Sequence, residues 1–233
     1  MNHYLSQIAF RPQQREDHKL AHQLLSMPYL QHQKIWELFQ RPPGSEQPFL
    51  YRQSDAEDRP RFLVLSDEPP KSQDARWQIQ TKAFSPTLQV GQVLTFSVRL
   101  NPTRSVRRPG EKRGKRQDLV MAALHEVAAD RRAVERQRLV NCELPLWLSA
   151  RGEQGGFAIV EDDDRLLCAV TRYEVLRFRT TASQQSHSVT LGCADFVGQL
   201  RVTDPNRFAK TLCQGIGHGR SFGLGLMLVK RPH

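Results

Sequence analysis

The sequence predicts an α+β protein. Short runs of alternating apolar and polar residues recur along the chain, other segments carry apolar residues at helical spacing, and glycine or proline marks most junctions between them. At 233 residues, 39% hydrophobic and 25% charged, it is globular and has enough apolar material for a core. That length suits one large domain or two of about 100 residues each. No apolar run approaches the ~20 residues of a membrane helix. The start, Met1-Asn2-His3-Tyr4, has no basic region followed by a long apolar core, so no secretion signal is expected. A cytoplasmic protein without membrane contact is the expectation.

Tyr4 to Phe10 reads as a strand, and Gln13 to Leu25 as a polar helix with Leu20, Leu24 and Leu25 at helical spacing. His18 and His22 stand at i, i+4, a spacing that can grip a metal. No third ligand lies near them, and a solvated helix face is the simpler reading. Met27-Pro28 marks a boundary, since proline suits a first helical turn. The helix from Pro28 to Phe39 uses Leu30, Ile35, Trp36, Leu38 and Phe39 as its apolar set. Tyr29 and His32, three apart, fall on one face near its N-terminus. Arg41-Pro42-Pro43-Gly44 ends it. Phe49 to Gln53 and Arg61 to Leu65 are expected to pair as a hairpin around Ser54 to Pro60, and Trp77 to Phe84 follows as another strand. Strand, helix, two strands and a further strand fit a ferredoxin-like sheet. Ser66 to Arg76 does not read as that fold's second helix.

Val90-Gly91-Gln92 reads as a junction between a first domain, 1–90, and a second, 91–233. Val93 to Leu100 alternates as a strand, closed by Asn101-Pro102, and a basic loop begins there. Asp118 to Leu139 has a helical pattern, and Leu144 to Arg151 a short helix stopped at Gly152. Phe157 to Val160 and Leu166 to Thr171 are strands joined by Glu161-Asp162-Asp163-Asp164. That acidic run can bind a cation but more simply makes a solvated turn. Glu174 to Thr180 and Val189 to Val202 are longer strands. Asp204 then caps a helix from Asn206 to Gln214, and a final strand ends the chain. The second half therefore also suits a ferredoxin-like unit, giving two in tandem.

Charge is concentrated. Arg99, Arg104, Arg107, Arg108, Lys112, Arg113, Lys115 and Arg116 face only Glu111, so this segment supplies +7 of the formal +10. A dense cationic segment with no amphipathic lipid-facing helix suggests nucleic acid as partner. The four cysteines (Cys142, Cys168, Cys193, Cys213) form no Cys-x-x-Cys pair, so structural zinc is not expected and reduced thiols are.

Near the C-terminus, Gly215, Gly217, Gly219, Gly223 and Gly225 put five of fourteen glycines within eleven residues. Such a loop can take positive φ and bring backbone N–H groups, with Arg220 and Ser221, close to a phosphate. It runs helix, glycine loop, strand. That order excludes the dinucleotide fingerprint, which needs strand, glycines, helix. A P-loop lysine is absent too. Taken alone, the loop would equally suit a flexible turn.

Three features read together resemble the CRISPR-associated repeat-RNA endoribonucleases of type I-E systems, the CasE family. They are Pro28-Tyr29-Leu30-Gln31-His32 on a helix after the first strand, Arg99-Leu100-Asn101-Pro102 before a basic loop, and Gly215-Ile216-Gly217 through Arg220-Ser221-Phe222-Gly223-Leu224-Gly225-Leu226. Leu88 to Gln92 and Leu200 to Pro205 add to the likeness, which extends from first strand to last. The family's glycine loop usually carries proline at His218 and often lysine at Arg220. The resemblance implies two tandem ferredoxin-like (RRM-like) domains and metal-independent cleavage of a CRISPR repeat hairpin, without a cofactor. It also implies retention of the product within the type I-E Cascade complex, beside its other subunits.

The chemistry suits the residues. RNA carries its own nucleophile, the 2′-hydroxyl, so a side chain titrating near neutrality can serve without metal. His32 is the candidate acid/base and Tyr29 the candidate for holding phosphate or sugar. His218 is a further candidate for proton transfer, although an exposed or phosphate-facing place suits it better. With the resemblance, this implies a 2′,3′-cyclic phosphate and a 5′-hydroxyl. The alternative is a non-catalytic RNA-hairpin-binding module of RRM type, since Arg220-Ser221-Phe222-Gly223 faintly matches that signature. A third reading, a metal nuclease on Glu161 to Asp164, lacks a supporting cluster.

Overall fold

The computed structural model describes residues 3–42, 44–54, 59–106, 114–180 and 187–232. It is an α+β fold whose larger sheets are antiparallel, and it divides into two units. The first takes the chain up to Thr87 together with Phe178–Ser188 and Leu212–Leu226. The second takes Leu88–Arg177, Val189–Thr211 and the residues from Met227 on. The main boundary lies close to the Val90 junction. The glycine-rich segment, expected in the C-terminal domain, clusters instead with the N-terminal unit. Contacts made across some 170 residues of chain decide this, and no local pattern encodes them.

The first unit contains β1 (His3–Phe10), α1 (Asp17–Ser26), α2 (Pro28–Trp36), β2 (Phe49–Gln53), β3 (Arg61–Ser66) and β4 (Trp77–Phe84). Its strands run in the order β2-β3-β1-β4. Side chains alternate between faces with period two. In β1, Ser6, Ile8 and Phe10 are buried, and Ile8 pairs with both Phe62 and Ile79. Leu24 of α1 and Ile35 of α2 complete the cluster on that face. Each such fully buried side chain contributes about 1.5–3 kcal/mol.

Helix α1 starts at Asp17 and not at Gln13. The Asp17 carboxylate accepts the backbone N–H groups of Gln13 and Gln14, at 2.9 and 3.0 Å, and so folds those residues into a turn. No helix forms between β3 and β4. Asp67 and Glu68 there pair with Arg41 of the α2–β2 connection, and Arg76 pairs with Asp74 and Asp17, fixing an irregular connection.

The second unit is built on β5 (Val93–Leu100), whose Leu94, Phe96, Val98 and Leu100 are buried. Then come β6 (Thr103–Val106), β7 (Lys115–Asp118), α3 (Leu119–His125), α4 (Arg132–Arg138) and α5 (Leu144–Gly155). Strands β8 (Phe157–Ile159), β9 (Glu161–Asp162), β10 (Arg165–Leu166), β11 (Cys168–Thr180) and β12 (His187–Val202) precede α6 (Pro205–Gln214) and β13 (Met227–Lys230). The sheet order is β11-β12-β5-β13, with β8 also pairing with β12. The residues read as two strands from Leu166 to Thr180 thus include one long strand. The acidic run forms the β9–β10 turn, where Asp163 and Asp164 take positive φ. Burial pushes the Cys168 and Cys193 thiols up to about 12, which keeps them protonated and unreactive.

Two elements differ from the sequence reading. The single helix expected over Asp118 to Leu139 breaks after His125 and resumes as α4, which a π turn at Leu139–Glu143 joins to α5. Helix α5 runs through Gly152 and ends at Gly156, with φ of 79°. Gly152 marks a close approach, since a Cβ there would lie 2.5 Å from the Phe157 carbonyl oxygen. Gly152→Ala should therefore cost about 1–3 kcal/mol through overpacking. At this chain length that lowers the melting temperature by roughly 2–4 °C per kcal/mol. Unchanged melting would show that the neighbouring strand yields freely.

Candidate active site and RNA interface

Helix α2 begins with proline, whose fixed φ and missing N–H fit the first helical position. The first-turn amides of Tyr29 and Leu30 have no partner within the helix, so its N-terminus can receive an anion. Gln31 points inward. Its Nε2 donates to the Leu24 carbonyl at 2.8 Å and to Gln53 Oε1 at 2.7 Å, which fixes the rotation of α2 about its axis. Tyr29 and His32 are both half-buried, on a different face from Gln31.

The His32 ring lies against Trp36 and Phe49, with centroids 5.8 and 5.7 Å away. Its Nδ1 is buried and has no hydrogen-bond partner among the described residues. Burial lowers its pKa below the ordinary 6.5. The ring is therefore neutral at pH 7 and able to accept a proton.

The glycine segment forms a turn of repeated left-handed residues. Gly215, Gly217, Gly219, Gly223 and Gly225 all have φ between 74° and 94°. At Gly225 a side chain is doubly excluded, because a Cβ would also lie 2.9 Å from the Ile216 carbonyl oxygen. Ile216 N–H donates to the Gly225 carbonyl at 3.0 Å and closes the loop's neck. Arg220–Phe222 make a short 3-10 turn. That turn packs on α2 within the first unit, so the turn and the helix bearing Tyr29 and His32 are neighbours. Arg220 and His218 are exposed. Ser221 faces inward, its hydroxyl donating to Gln47 Oε1 at 2.8 Å.

The basic segment contains a two-stranded stem, β6 paired antiparallel with β7. Arg104, Lys115 and Arg116 are exposed on its stem. Arg107, Arg108, Lys112 and Arg113 lie outside the described residues. Arg99 sits apart on β5, where its guanidinium donates twice to the Asp195 carboxylate, at 2.8 Å each, with little exposure. That cross-strand pair commits Arg99 to the sheet. The stem's root is clamped, for Trp147 Nε1 and Arg151 both donate to the Thr103 carbonyl at 2.9 Å. The Arg151 guanidinium stacks 3.6 Å above the Trp147 ring.

Sequence reasoning missed several residues. Fully buried Tyr51 donates from its hydroxyl to the carbonyls of Pro28 and Ser221, at 3.1 and 3.2 Å. Phe178, near the end of β11, meets Phe222 edge-on with centroids 4.8 Å apart. Arg177 and Arg179 flank it as exposed cations. The alternation of β11 carried that last signal, an aromatic between two arginines. Where an RRM would place stacking aromatics, Leu224, Leu226 and Met227 are buried aliphatics. That composition suits a core.

Comparison with known proteins decides the family. The model of a family described as CRISPR associated protein matches residues 3–231. The chain belongs to this family. Within the family, the endoribonuclease Cse3 of Thermus thermophilus is 29% identical over 150 residues, which are 64% of this chain and 60% of that protein. The chain thus aligns to less than two thirds of that relative's length. The Cascade subunit CasE of Escherichia coli K12 is 24% identical over 209 residues, 85% of this chain and 89% of its own length. A structure of the CRISPR endoribonuclease Cse3 bound to a 19-nucleotide RNA superposes with a TM-score of 0.71, at 26% identity, with both chains covered in full. No helix among the described residues is long and apolar enough to cross a membrane.

Proposed function

We propose that this protein is a metal-independent endoribonuclease that cleaves CRISPR repeat hairpins and stays bound to the product as a Cascade subunit. One observation carries the reading: α2, with Tyr29 and His32, packs against the 3-10 turn of the glycine segment, bringing the helix with a neutral imidazole and a left-handed glycine turn together. Family membership and the RNA-bound relative support the substrate class, and the Cascade subunit of E. coli supports the assembly. Each unit's sheet order matches a ferredoxin-like sheet, β2-β3-β1-β4 in the first and β8/β11-β12-β5-β13 in the second. The likeness supports tandem ferredoxin-like domains, even though the first lacks its second helix.

In the reaction, His32 Nε2 takes the proton of the 2′-hydroxyl. O2′ bonds to phosphorus as the P–O5′ bond breaks, the proton passes to O5′, and a 2′,3′-cyclic phosphate and a 5′-hydroxyl result. Tyr29 holds the phosphate or sugar, and the helix N-terminus with the glycine amides balances the charge of the phosphorane. Exposed Arg220 adds a cation, while Arg104, Lys115 and Arg116 on the hairpin stem, with the basic residues beyond it, hold the duplex.

The test is incubation with the host's own repeat RNA in EDTA, followed by mapping of product ends. A single cut leaving cyclic phosphate and 5′-hydroxyl is expected. A strict Mg²⁺ requirement or 5′-phosphate ends would refute the reading. The pH profile offers a second check, because kcat/KM reports the free enzyme. With its pKa lowered, His32 keeps the proton-accepting form to below pH 6.5, and kcat/KM should fall only as pH drops through that lower value. An acid limb centred above 6.5 would contradict this.

A further inference from the structure

We propose that Tyr51 is a positioning residue, whose hydroxyl sets the spacing between the first turn of α2 and the glycine turn and thereby aligns His32 on the scissile phosphate. The inference rests on His32 being the acid/base. Tyr51 stands on β2 with its ring fully buried, and its single O–H is shared between the Pro28 and Ser221 carbonyls. One phenol thus links the start of the helix to the glycine turn. Helical geometry makes the Pro28 carbonyl the acceptor for the backbone N–H of His32, four residues on. Tyr51 therefore bonds the same oxygen that holds the backbone of the imidazole-bearing residue.

The other end of the bridge is equally constrained. Ser221 is gripped through its hydroxyl by Gln47, whose Nε2 in turn donates to the Phe49 carbonyl at 2.6 Å. Gly223 leaves room for the Tyr51 ring, since a Cβ there would approach Tyr51 Cε2 to 3.2 Å. Strand β2 thus holds the turn through Gln47, just ahead of it, and holds both turn and helix through Tyr51. A sheet is a rigid base for such a rule, and reactive alignment is sensitive: a displacement of about 1 Å can cost on the order of 10²-fold in rate. Loss of the hydroxyl leaves the ring's packing in place but removes the link.

The experiment compares wild type, Tyr51→Phe and Gln47→Ala in single-turnover cleavage of the repeat hairpin, well below the melting temperature of each. Affinity is measured in parallel on a hairpin with 2′-deoxyribose at the cut. Tyr51→Phe should cut about 10–100-fold more slowly with affinity within about twofold and an unshifted pH profile. Gln47→Ala, which frees the same turn from the other side, should slow cutting in the same direction but less. Cleavage by Tyr51→Phe within twofold of wild type, even with lowered melting, would reduce Tyr51 to a structural residue and overturn the proposal. So would an acid limb displaced by more than about half a unit, because Tyr51 would then act on ionisation. A His32→Ala control separates the two readings: if that variant still cuts, the assignment of His32 fails, whatever Tyr51→Phe does.

Discussion

His32→Ala should lower the single-turnover cleavage rate by about 10²–10⁴-fold, the usual worth of positioned proton transfer, while hairpin affinity stays within a few-fold. The ring packs against Trp36 and Phe49, and its lowered pKa leaves it neutral at pH 7, so under the proposed mechanism its removal takes away the proton acceptor. His32→Gln, which keeps a hydrogen-bonding group without a titrating nitrogen, should be nearly as slow. Cleavage at a tenth of the wild-type rate or faster in either variant would remove His32 from the chemistry. A parallel loss of affinity would make it a binding residue instead.

Affinity should depend steeply on salt. If about half of the eight cations between Arg99 and Arg116 meet phosphates, the log–log slope is roughly −3 to −4. Raising salt from 50 to 200 mM then weakens binding by about 60–250-fold. Arg104, Lys115 and Arg116 are exposed on the stem of the β6–β7 hairpin. Replacing all three with alanine should flatten the slope by up to about one for every phosphate left without its cation. Arg99→Ala should leave the slope nearly unchanged, because that guanidinium is already matched by Asp195. It should instead lower the melting temperature, since it strands a buried carboxylate. A slope that the triple replacement leaves unchanged would place the duplex elsewhere on the surface.

The strands were legible wherever one face is buried. Val93 to Leu100 alternates without interruption, and β5 has those bounds. Asp204 caps α6 as its residue type suggests, accepting the Arg207 N–H at 2.9 Å. The hairpin strands β6 and β7 were not legible, because Thr103 to Val106 and Lys115 to Asp118 carry almost no apolar alternation. Their pairing is held by the backbone ladder and by the clamp on Thr103. Gly152 misled for another reason: a glycine reads as a stop, yet here it admits the Phe157 carbonyl beside an unbroken helix.

The site divides in the same way. Tyr29 and His32 could be placed on one face of a helix from spacing alone, and the positive φ of the glycine turn followed from composition. What joins them did not. Tyr51 looks in sequence like any core aromatic of a short apolar strand, and only the fold brings the carbonyl of Ser221, 170 positions later, to its hydroxyl.

The most direct measurement replaces a single ribose in the repeat RNA, the one on the 5′ side of the scissile phosphate, with 2′-deoxyribose. Binding should be unchanged and no product should form even at long times and saturating enzyme, because the attacking group is gone. Cleavage of that substrate at the same bond would mean that water or another nucleophile attacks, and the account of His32 deprotonating the RNA's own hydroxyl would be wrong.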